Sequence, residues 1–379
     1  MSHSASSPPD SISCGTVSVV PTPNVTSQTL YDLTRAEAAD LLDGAASYRI
    51  EQLWRGLYDD AVDVAEITTL SKELRRSLTD QAPAALTEIV KSQSDDGETI
   101  KWLWRLPDGE AIETVLMHYD DRSTVCVSSQ AGCAMACGFC ATGQGGFQRH
   151  LSVGEIVEQV VRAKRAASPR RLSNVVFMGM GEPLANIEAT LAAAQRIHRD
   201  LGLSARHITV STVGLVPGIR RLTEAQLPVS LAVSLHASTD ELRDELVPIN
   251  KRYPLPMLID ACIEYRETTR RRVSFEWAMI SNVNDSDEQA DELARWCAKA
   301  RAHVNLIPLN PTPGYPTVGS SPERVLAFRD RLRNHGVNAT VRKNRGTDID
   351  AACGQLKAAS SDVATDLTST AVLPPTRRS

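Results

Sequence analysis

Six short β-rich runs alternate with helical stretches between residues 124 and 309, and this rhythm constrains the fold more than any other feature. The runs lie at 124–129, 173–178, 207–212, 229–235, 273–280 and 303–309. Strands that alternate with helices pair in parallel, because each helix carries the chain back to the same edge of the sheet. The sequence therefore predicts an α/β fold; six units fall short of the eight in a closed barrel, and an open, partial (β/α)6 barrel fits this count.

Small polar residues follow four of these runs, at the points where the predicted strands end. In barrel folds the groups that act on a ligand lie at the C-terminal ends of the strands. A carboxylate there could accept hydrogen bonds from a ligand ammonium, and hydroxyl, imidazole and amide groups could bind ribose hydroxyls or a carboxylate. Each residue alone also fits a turn or a helix cap, but together they predict a site for a nucleoside that carries an amino acid. The candidate ligand-binding residues are Gly181, Glu182, Ser211, Ser234, Leu235, His236 and Asn310.

Three cysteines within eight residues, Cys133-Ala-Met-Ala-Cys137-Gly-Phe-Cys140, predict a small inorganic centre. Thiolates at such a spacing can converge on one iron–sulfur cluster. A closed structural zinc site needs four ligands, and no second Cys or His pair follows at a suitable spacing. Three ligands suit a 4Fe–4S cubane whose fourth iron stays open to a substrate or cofactor. The C-x3-C-x2-C spacing resembles the signature of radical S-adenosylmethionine enzymes; buried or disulfide-bonded thiols are the alternative reading.

Composition and charge favour a cytoplasmic enzyme. Eight cysteines in 379 residues do not indicate a secreted disulfide framework. The sequence shows neither a signal peptide nor an apolar run long enough to span a bilayer, so we expect no membrane contact. Residues 1–100 hold 7 Lys and Arg against 16 Asp and Glu, whereas residues 101–379 hold 34 against 30. The basic excess on the second part is compatible with phosphate binding and equally with solvated helix faces.

The chain divides into five predicted segments. A Ser- and Pro-rich tail occupies residues 1–28, and amphipathic helical patterns mark a small helical domain at 29–95. Residues 96–123 read as a linking β-hairpin, with its turn at Pro107-Asp108-Gly109. The barrel core is expected at 124–356 and a C-terminal tail at 357–379.

Motifs spread over about residues 48 to 356 closely resemble the RlmN family, the dual-specificity radical S-adenosylmethionine RNA adenine-C2 methyltransferases. The motifs are Cys126-Val-Ser-Ser-Gln-Ala-Gly-Cys133, Met178-Gly-Met-Gly-Glu-Pro183, Ser234-Leu-His236, Val247-Pro-Ile-Asn250 and Asp348-Ile-Asp-Ala-Ala-Cys-Gly-Gln-Leu356. The resemblance implies a radical S-adenosylmethionine barrel, one 4Fe–4S cluster held by Cys133, Cys137 and Cys140, and two S-adenosylmethionine molecules per turnover.

The resemblance also implies a mechanism and three catalytic residues. One S-adenosylmethionine methylates Cys353, and a second is cleaved to a 5′-deoxyadenosyl radical that takes hydrogen from the new methyl group. The resulting methylene radical adds to adenine C2, and Glu113 accepts the proton that leaves C2. Cys126 then forms a disulfide with Cys353 and releases the product. An adenine C2 has no lone pair to attack a sulfonium methyl group, which explains why a radical route is needed.

The implied substrates are an adenosine in the peptidyl-transferase region of 23S rRNA and the adenosine 3′ of the anticodon in certain tRNAs. Both must be splayed out of a base stack to reach a barrel mouth. We expect a monomer that receives electrons from a flavodoxin or ferredoxin.

Three other functions stay open at the level of sequence. The sister Cfr family shares most of these motifs and methylates adenine C8. A radical enzyme acting on a small molecule or peptide would keep the cluster cysteines without requiring Cys126 and Cys353. A redox sensor or electron carrier would need the cluster but not the polar residues at the strand ends.

Overall fold

A single ten-stranded sheet forms the centre of the molecule. The computed structural model describes residues 28–42, 47–310, 318–351 and 355–356. The strands of the main sheet follow the order β1-β2-β3-β4-β7-β8-β9-β10-β11-β12, and β5 pairs separately with β6. Every neighbour from β4 to β12 is parallel, whereas β1 to β4 are antiparallel to one another.

The strands are β1 Thr87–Gln93, β2 Thr99–Arg105, β3 Ala111–His118, β4 Ser123–Cys126, β5 Gln130–Gly132, β6 Phe147–His150, β7 Leu172–Phe177, β8 Ile208–Thr212, β9 Ser230–Ser234, β10 Val273–Met279, β11 His303–Pro308 and β12 Ala339–Val341. The α-helices are α1 Arg35–Leu41, α2 Tyr48–Trp54, α3 Lys72–Gln81, α4 Ala141–Gln144, α5 Val153–Ala167, α6 Ile187–Arg199, α7 Val216–Glu224, α8 Asp240–Leu246, α9 Leu255–Thr269, α10 Asp287–Ala300 and α11 Pro322–Asn334.

The parallel part of the sheet confirms the predicted α/β fold. Its strands are neighbours in the order in which they occur along the chain, and helices α5, α6, α7, α9, α10 and α11 contact one another in that order. The six predicted runs correspond to β4, β7, β8, β9, β10 and β11. A seventh parallel strand, β12, pairs with β11 at the edge of the described sheet. The sequence did not predict β12 because three residues are too few to give an alternating signal.

The predicted hairpin is also present and extends the sheet. Strands β2 and β3 pair over their whole length, and the turn at Gly109 has a positive φ of 93°. Strand β3 then pairs with β4, so the antiparallel hairpin and the parallel core share one sheet. Strand β1 falls inside the range assigned to the helical domain. Most of its residues are exposed, so its sequence lacks the apolar alternation that would have indicated a strand.

The N-terminal helices pack directly against the core. One continuous apolar cluster runs from Leu30 and Leu53, through the hairpin, to Leu332 and Leu356. Asp32 accepts a hydrogen bond from the backbone N–H of Gly154 at 2.6 Å, at the start of α5. No helix among the described residues is long and apolar enough to cross a bilayer.

Candidate active site

The three cluster cysteines lie together beside the C-terminal strand ends. Cys133 follows β5, and its backbone N–H donates to the Gly146 carbonyl at 2.7 Å. Cys140 precedes α4, and its N–H donates to the Cys137 carbonyl at 3.1 Å. Gly143 faces this loop so closely that a β-carbon there would lie 2.9 Å from the Cys137 carbonyl oxygen. A glycine is therefore required for the loop to fold back over α4.

The electrostatics of the three thiols fit a bound cationic centre. Burial raises the pKa of Cys133 to about 12, and burial together with repulsion from Cys140 and Cys133 raises the pKa of Cys137 further. Charged thiolates at Cys133 and Cys137 are therefore unfavourable here unless positive charge compensates them, as the irons of a cluster would. Within the described residues, no three His, Cys, Asp or Glu side chains are grouped closely enough to enclose a single metal ion.

The cysteines and the predicted ligand-binding residues line one cavity. It encloses about 1020 Å³, including space open to solvent. Its lining includes nine of the sequence-predicted site residues, namely Cys133, Cys137, Cys140, Gly181, Glu182, Ser211, Ser234, His236 and Asn310. Leu235 does not line it, because its side chain is fully buried in the core behind the strand end.

Glu182 is a buried carboxylate held by backbone groups. Its two oxygens accept hydrogen bonds from the N–H of Leu184 at 3.0 Å and of Val213 at 2.8 Å. Burial nevertheless raises its pKa to about 7, because the loss of hydration destabilises the charged carboxylate more than these two hydrogen bonds stabilise it. Gly181 precedes it with a φ of 99°, and a β-carbon there would lie 2.5 Å from Gln130. A ligand ammonium next to Glu182 would supply a positive charge that compensates the buried carboxylate.

His236 is fixed as a neutral hydrogen-bond donor. Its Nδ1 lies 3.0 Å from the backbone nitrogen of Ala278 and accepts that N–H. Burial, with the nearby Arg243 guanidinium, lowers its pKa to about 3, so the ring is neutral at physiological pH. Because Nδ1 accepts, the proton resides on Nε2. The ring therefore has one N–H left to donate to a ligand hydroxyl or carboxylate.

Arg243 holds the strand ends behind the cavity, and sequence reasoning missed it. Its guanidinium donates to the carbonyls of Val213 at 2.5 Å, Ser234 at 3.2 Å and Leu235 at 3.0 Å. It also donates to the Asn250 side chain at 2.8 Å. In the sequence Arg243 belongs to no recognisable motif, and it lies four residues before the motif Val247-Pro-Ile-Asn250.

A second, smaller cavity adjoins the first and contains Cys126. It shares Met178 and Arg342 with the larger cavity, and its lining includes Lys343, Asn344 and Arg345. Ala351 and Leu356 also line it. Cys353 lies outside the described residues, but the described residues on either side of it border the cavity of Cys126. Thr142 of α4 donates a hydrogen bond to the Leu356 carbonyl at 2.7 Å, which fixes the position of Leu356.

Glu113 lies on β3 and is 5 % exposed. Its side chain is on the same face of the sheet as that of Cys126, because Val115, two residues later, pairs with Cys126. Lys101 on β2 approaches the Glu113 carboxylate at 3.9 Å. The structure therefore separates the cluster cysteines and rim residues from Glu113 and Cys126, which lie on the neighbouring hairpin face.

Comparison with known proteins shows similarity along most of the chain. The model of the radical SAM superfamily matches residues 127–296. A probable dual-specificity RNA methyltransferase RlmN of Parafrankia sp. is 53 % identical over 347 residues, covering 86 % of this chain and 90 % of that protein. A dual-specificity RNA methyltransferase RlmN of Myxococcus xanthus is 51 % identical over 344 residues, covering 89 % and 96 %. A crystal structure of a radical SAM methyltransferase from Sphaerobacter thermophilus aligns with a TM-score of 0.85 and 52 % identity, covering 88 % of this chain and 100 % of that one.

Proposed function

Because the chain belongs to the RlmN family of dual-specificity radical S-adenosylmethionine RNA methyltransferases, we propose that it methylates adenine C2 in 23S rRNA and in tRNA. Membership makes the chain an S-adenosylmethionine-dependent RNA methyltransferase, and its superfamily implies a 4Fe–4S cluster. Beyond family membership, we propose which adenine carbon is methylated, which two classes of RNA are substrates and what each cysteine does.

One observation supports the proposal above all others. The cavity of the cluster cysteines and the cavity of Cys126 adjoin, with Met178 and Arg342 common to both. A radical made in the first cavity would be within a short distance of a thiol in the second. An enzyme with only the cluster site would have no use for a cysteine in that position.

The chemistry of the target explains why two kinds of cysteine are required. Adenine C2 is an electron-poor carbon without a lone pair, so it cannot attack a sulfonium methyl group. When bound, the cluster and S-adenosylmethionine supply a carbon radical that activates a methyl group. Cys353 carries that methyl group as a thioether, and the carbon then bonds to C2 and links the protein to the RNA.

The remaining steps belong to Glu113 and Cys126. Glu113 takes the proton from C2, so the C–H bond breaks and its electron pair stays on the ring, while the unpaired electron that radical addition left on the ring would pass to an oxidised iron–sulfur centre. The Cys126 thiolate then attacks the Cys353 sulfur, forming a sulfur–sulfur bond as the carbon–sulfur bond breaks. The electron pair of the broken bond leaves with the carbon, which takes a proton and becomes the methyl group.

Two substitutions test this assignment by failing differently. Cys353→Ala should leave both protein and RNA unmethylated, because the carrier sulfur is absent. Cys126→Ala should methylate Cys353, add to adenine and then accumulate as a protein–RNA adduct, because no thiol remains to break the thioether. Denaturing gels with and without nuclease detect the adduct. Cys262→Ala, which removes a buried cysteine of α9, is the control and should turn over normally.

A Cys126→Ala protein that turned over normally without an RNA adduct would exclude the resolving role, and an active Cys353→Ala protein would exclude the carrier mechanism. Nucleoside mass spectrometry against 2-methyladenosine and 8-methyladenosine standards decides between C2 and the C8 chemistry of the Cfr family. Separate rRNA and tRNA substrates decide whether both are used.

We further propose one cluster per chain and two S-adenosylmethionine molecules consumed per methyl group transferred. One should yield S-adenosylhomocysteine and the other 5′-deoxyadenosine, in equal amounts. The enzyme is expected to act in the cytoplasm as a monomer, with a flavodoxin or ferredoxin as electron donor. Product ratios measured by chromatography, and molar mass measured by light scattering, check these statements.

A further inference from the structure

Lys101 contacts both the carboxylate of Glu113 and the chain segment that leads to Cys353. Its Nζ lies 3.9 Å from Glu113 Oε1, and both side chains are largely buried, at 16 % and 6 % exposure. The same Nζ donates a hydrogen bond to the Asp350 carbonyl at 3.3 Å. A single ammonium group therefore joins the candidate proton acceptor to the backbone three residues before the candidate methyl carrier.

The register of the hairpin explains why these groups meet. Lys101 pairs with Val115 across β2 and β3, and Val115 pairs in turn with Cys126 across β3 and β4. Side chains that pair directly lie on the same face of a sheet, and alternate residues share that face. Lys101, Glu113 and Cys126, on β2, β3 and β4, therefore share one face of the sheet. Trp102, next to Lys101 in sequence, is buried on the other face.

A second contact fixes the same segment to the hairpin. The backbone N–H of Asp95, in the turn between β1 and β2, donates to the Asp348 carboxylate at 2.8 Å. Within the segment, the N–H of Ala351 donates to the Gly346 carbonyl at 2.8 Å. Residues 346–351 are thus held in one conformation against the face that carries Glu113.

We propose that Lys101 is a positioning residue for the removal of the proton from adenine C2. Lys101 keeps Glu113 ionised and oriented, and it also fixes the segment leading to Cys353. The inference rests on the proposed function. In the step concerned, the C2–H bond breaks, its electron pair stays on the ring, and the proton forms an O–H bond on Glu113. Lys101 exchanges no atom with the substrate and acts through Glu113.

The physical reason is the cost of a buried negative charge. A carboxylate removed from water is disfavoured in its charged form, and a cation within about 4–6 Å offsets that cost. A base must be ionised to accept a proton, so the pair with Lys101 holds Glu113 in its reactive state. An ammonium carries three donors on a flexible stem, which lets it contact the carboxylate and a carbonyl at once.

The test compares Lys101→Met and Lys101→Arg with the wild type and with Lys91→Met. Lys91 lies on the neighbouring strand β1, is exposed, and has its Nζ near the Trp102 ring at 5.8 Å, so it is a matched control. Each protein is reconstituted with its cluster, and Cys353 methylation by S-adenosylmethionine alone is measured by mass spectrometry. Methylation of an RNA with adenosine or 2-deuterated adenosine is then followed in single turnovers from pH 6 to 9.

Lys101→Met should still methylate Cys353, because the contact of Asp95 with Asp348 continues to hold the segment, but it should modify RNA about tenfold more slowly or worse near neutral pH. The rising limb of its pH–rate profile should move to higher pH by about one unit or more, because Glu113 then ionises less readily. Its deuterium isotope effect should increase, since proton loss becomes rate-limiting. Lys101→Arg should recover part of the rate, and Lys91→Met should match the wild type.

A Lys101→Met protein with the wild-type pH profile and isotope effect would overturn the inference, even if its overall rate had fallen. Loss of cluster or of Cys353 methylation in Lys101→Met would also overturn it, because Lys101 would then be needed for folding. Failure of the proposed function is separate: it would be seen in the wild type, as no 2-methyladenosine, or in Glu113→Gln, as unchanged RNA methylation.

Discussion

At the scale of single residues, two buried ionisable groups that line the larger cavity have pKa values shifted in opposite directions. His236 is kept neutral, and its Nδ1 is occupied, so it can only donate. Glu182 is kept close to its point of ionisation, with both oxygens already accepting backbone N–H groups. A ligand that carries both an ammonium and hydroxyl or carboxylate groups would meet a partner for each. The two residues therefore offer a ligand different partners: His236 can donate a hydrogen bond, and Glu182 can accept one or pair with a positive charge.

Glu182 makes the cofactor-free protein less stable as pH rises. Its pKa is about 7 in the folded chain against 4.5 when exposed, so folding favours the protonated form. The stability this provides is complete below about pH 4.5 and is lost as pH rises to about 7, a loss of about 3 kcal/mol. Glu182→Gln should remove this decline with pH, although it loses one of the two oxygens that accept backbone N–H groups, and it should bind S-adenosylmethionine more weakly. Urea unfolding at several pH values, compared between the two proteins, measures the difference; parallel pH curves would contradict it.

Cys137→Ala should abolish cluster binding and RNA methylation together. Cys137 is the most buried of the three cluster cysteines, so no water or neighbouring ligand can readily replace its thiolate. Iron and sulfide analysis of the anaerobically reconstituted protein measures the loss. Cys297→Ala, at a buried cysteine of α10, should keep a full cluster. A Cys137→Ala protein with full iron content would remove the assignment of the cluster ligands.

At the scale of elements, one arginine determines how two strand ends meet. Arg243 projects from α8 and donates to carbonyls that follow β8 and end β9, so it replaces the sheet bonds that those ends lack. Burial lowers its pKa to about 10, which still leaves it charged at neutral pH. The rim residues that flank these carbonyls depend on it for their position. Helix α8 therefore acts as a support for the cavity and not only as a connection.

Arg243→Met should destabilise the protein by about 3 kcal/mol or more, because it leaves several buried carbonyls without a donor. It should also weaken binding of S-adenosylmethionine, since Ser234 lies at the rim of the cavity. The unfolding midpoint in urea and the affinity for the cofactor are the measurements. Arg295→Met, at an exposed position on α10, is the control and should change stability by less than about 0.5 kcal/mol. Equal stability of the two variants would contradict the supporting role.

At the scale of the whole molecule, the N-terminal helices, the hairpin and the barrel share one apolar core. Apolar side chains from α2 join the same cluster as those of the parallel strands. Polar contacts reinforce the packing, since Glu158 of α5 accepts the Ala85 N–H at 2.7 Å and Lys164 donates to the Tyr58 carbonyl at 2.6 Å. Segments of a chain that share one apolar core are expected to unfold together.

Gly154→Ala tests this expectation. A β-carbon at Gly154 would meet Thr29 and would lie 2.6 Å from the Asp32 carboxyl carbon, so it would force the N-terminal segment away from α5. We expect a loss of about 2 kcal/mol, felt equally by α2 and α5. Hydrogen exchange at increasing urea, read on peptides from the two helices, measures both. A helix α2 that lost protection at clearly lower urea than α5 would show that the N-terminal part unfolds separately.

The sequence by itself determined the features that depend on neighbouring residues. The alternation of β-rich and helical runs predicted the parallel sheet, because each period is a property of a few consecutive side chains. The spacing from Cys133 to Cys140 predicted a shared ligand site for the same reason, and most of the predicted rim residues line one cavity because parallel strands end at one edge. The proline and glycine of Pro107-Asp108-Gly109 predicted the hairpin turn.

Only the tertiary structure decided which distant groups meet. The carbonyls bound by Arg243 lie at the ends of two strands, β8 and β9, and the contact of Lys101 with Asp350 joins residues 249 positions apart. No local pattern encodes such contacts, because they depend on how strands pair and on which face each side chain lies. The edge strands β1 and β12 were missed for a related reason: one is mostly exposed and the other is very short, so neighbouring strands, and not their own residues, define them.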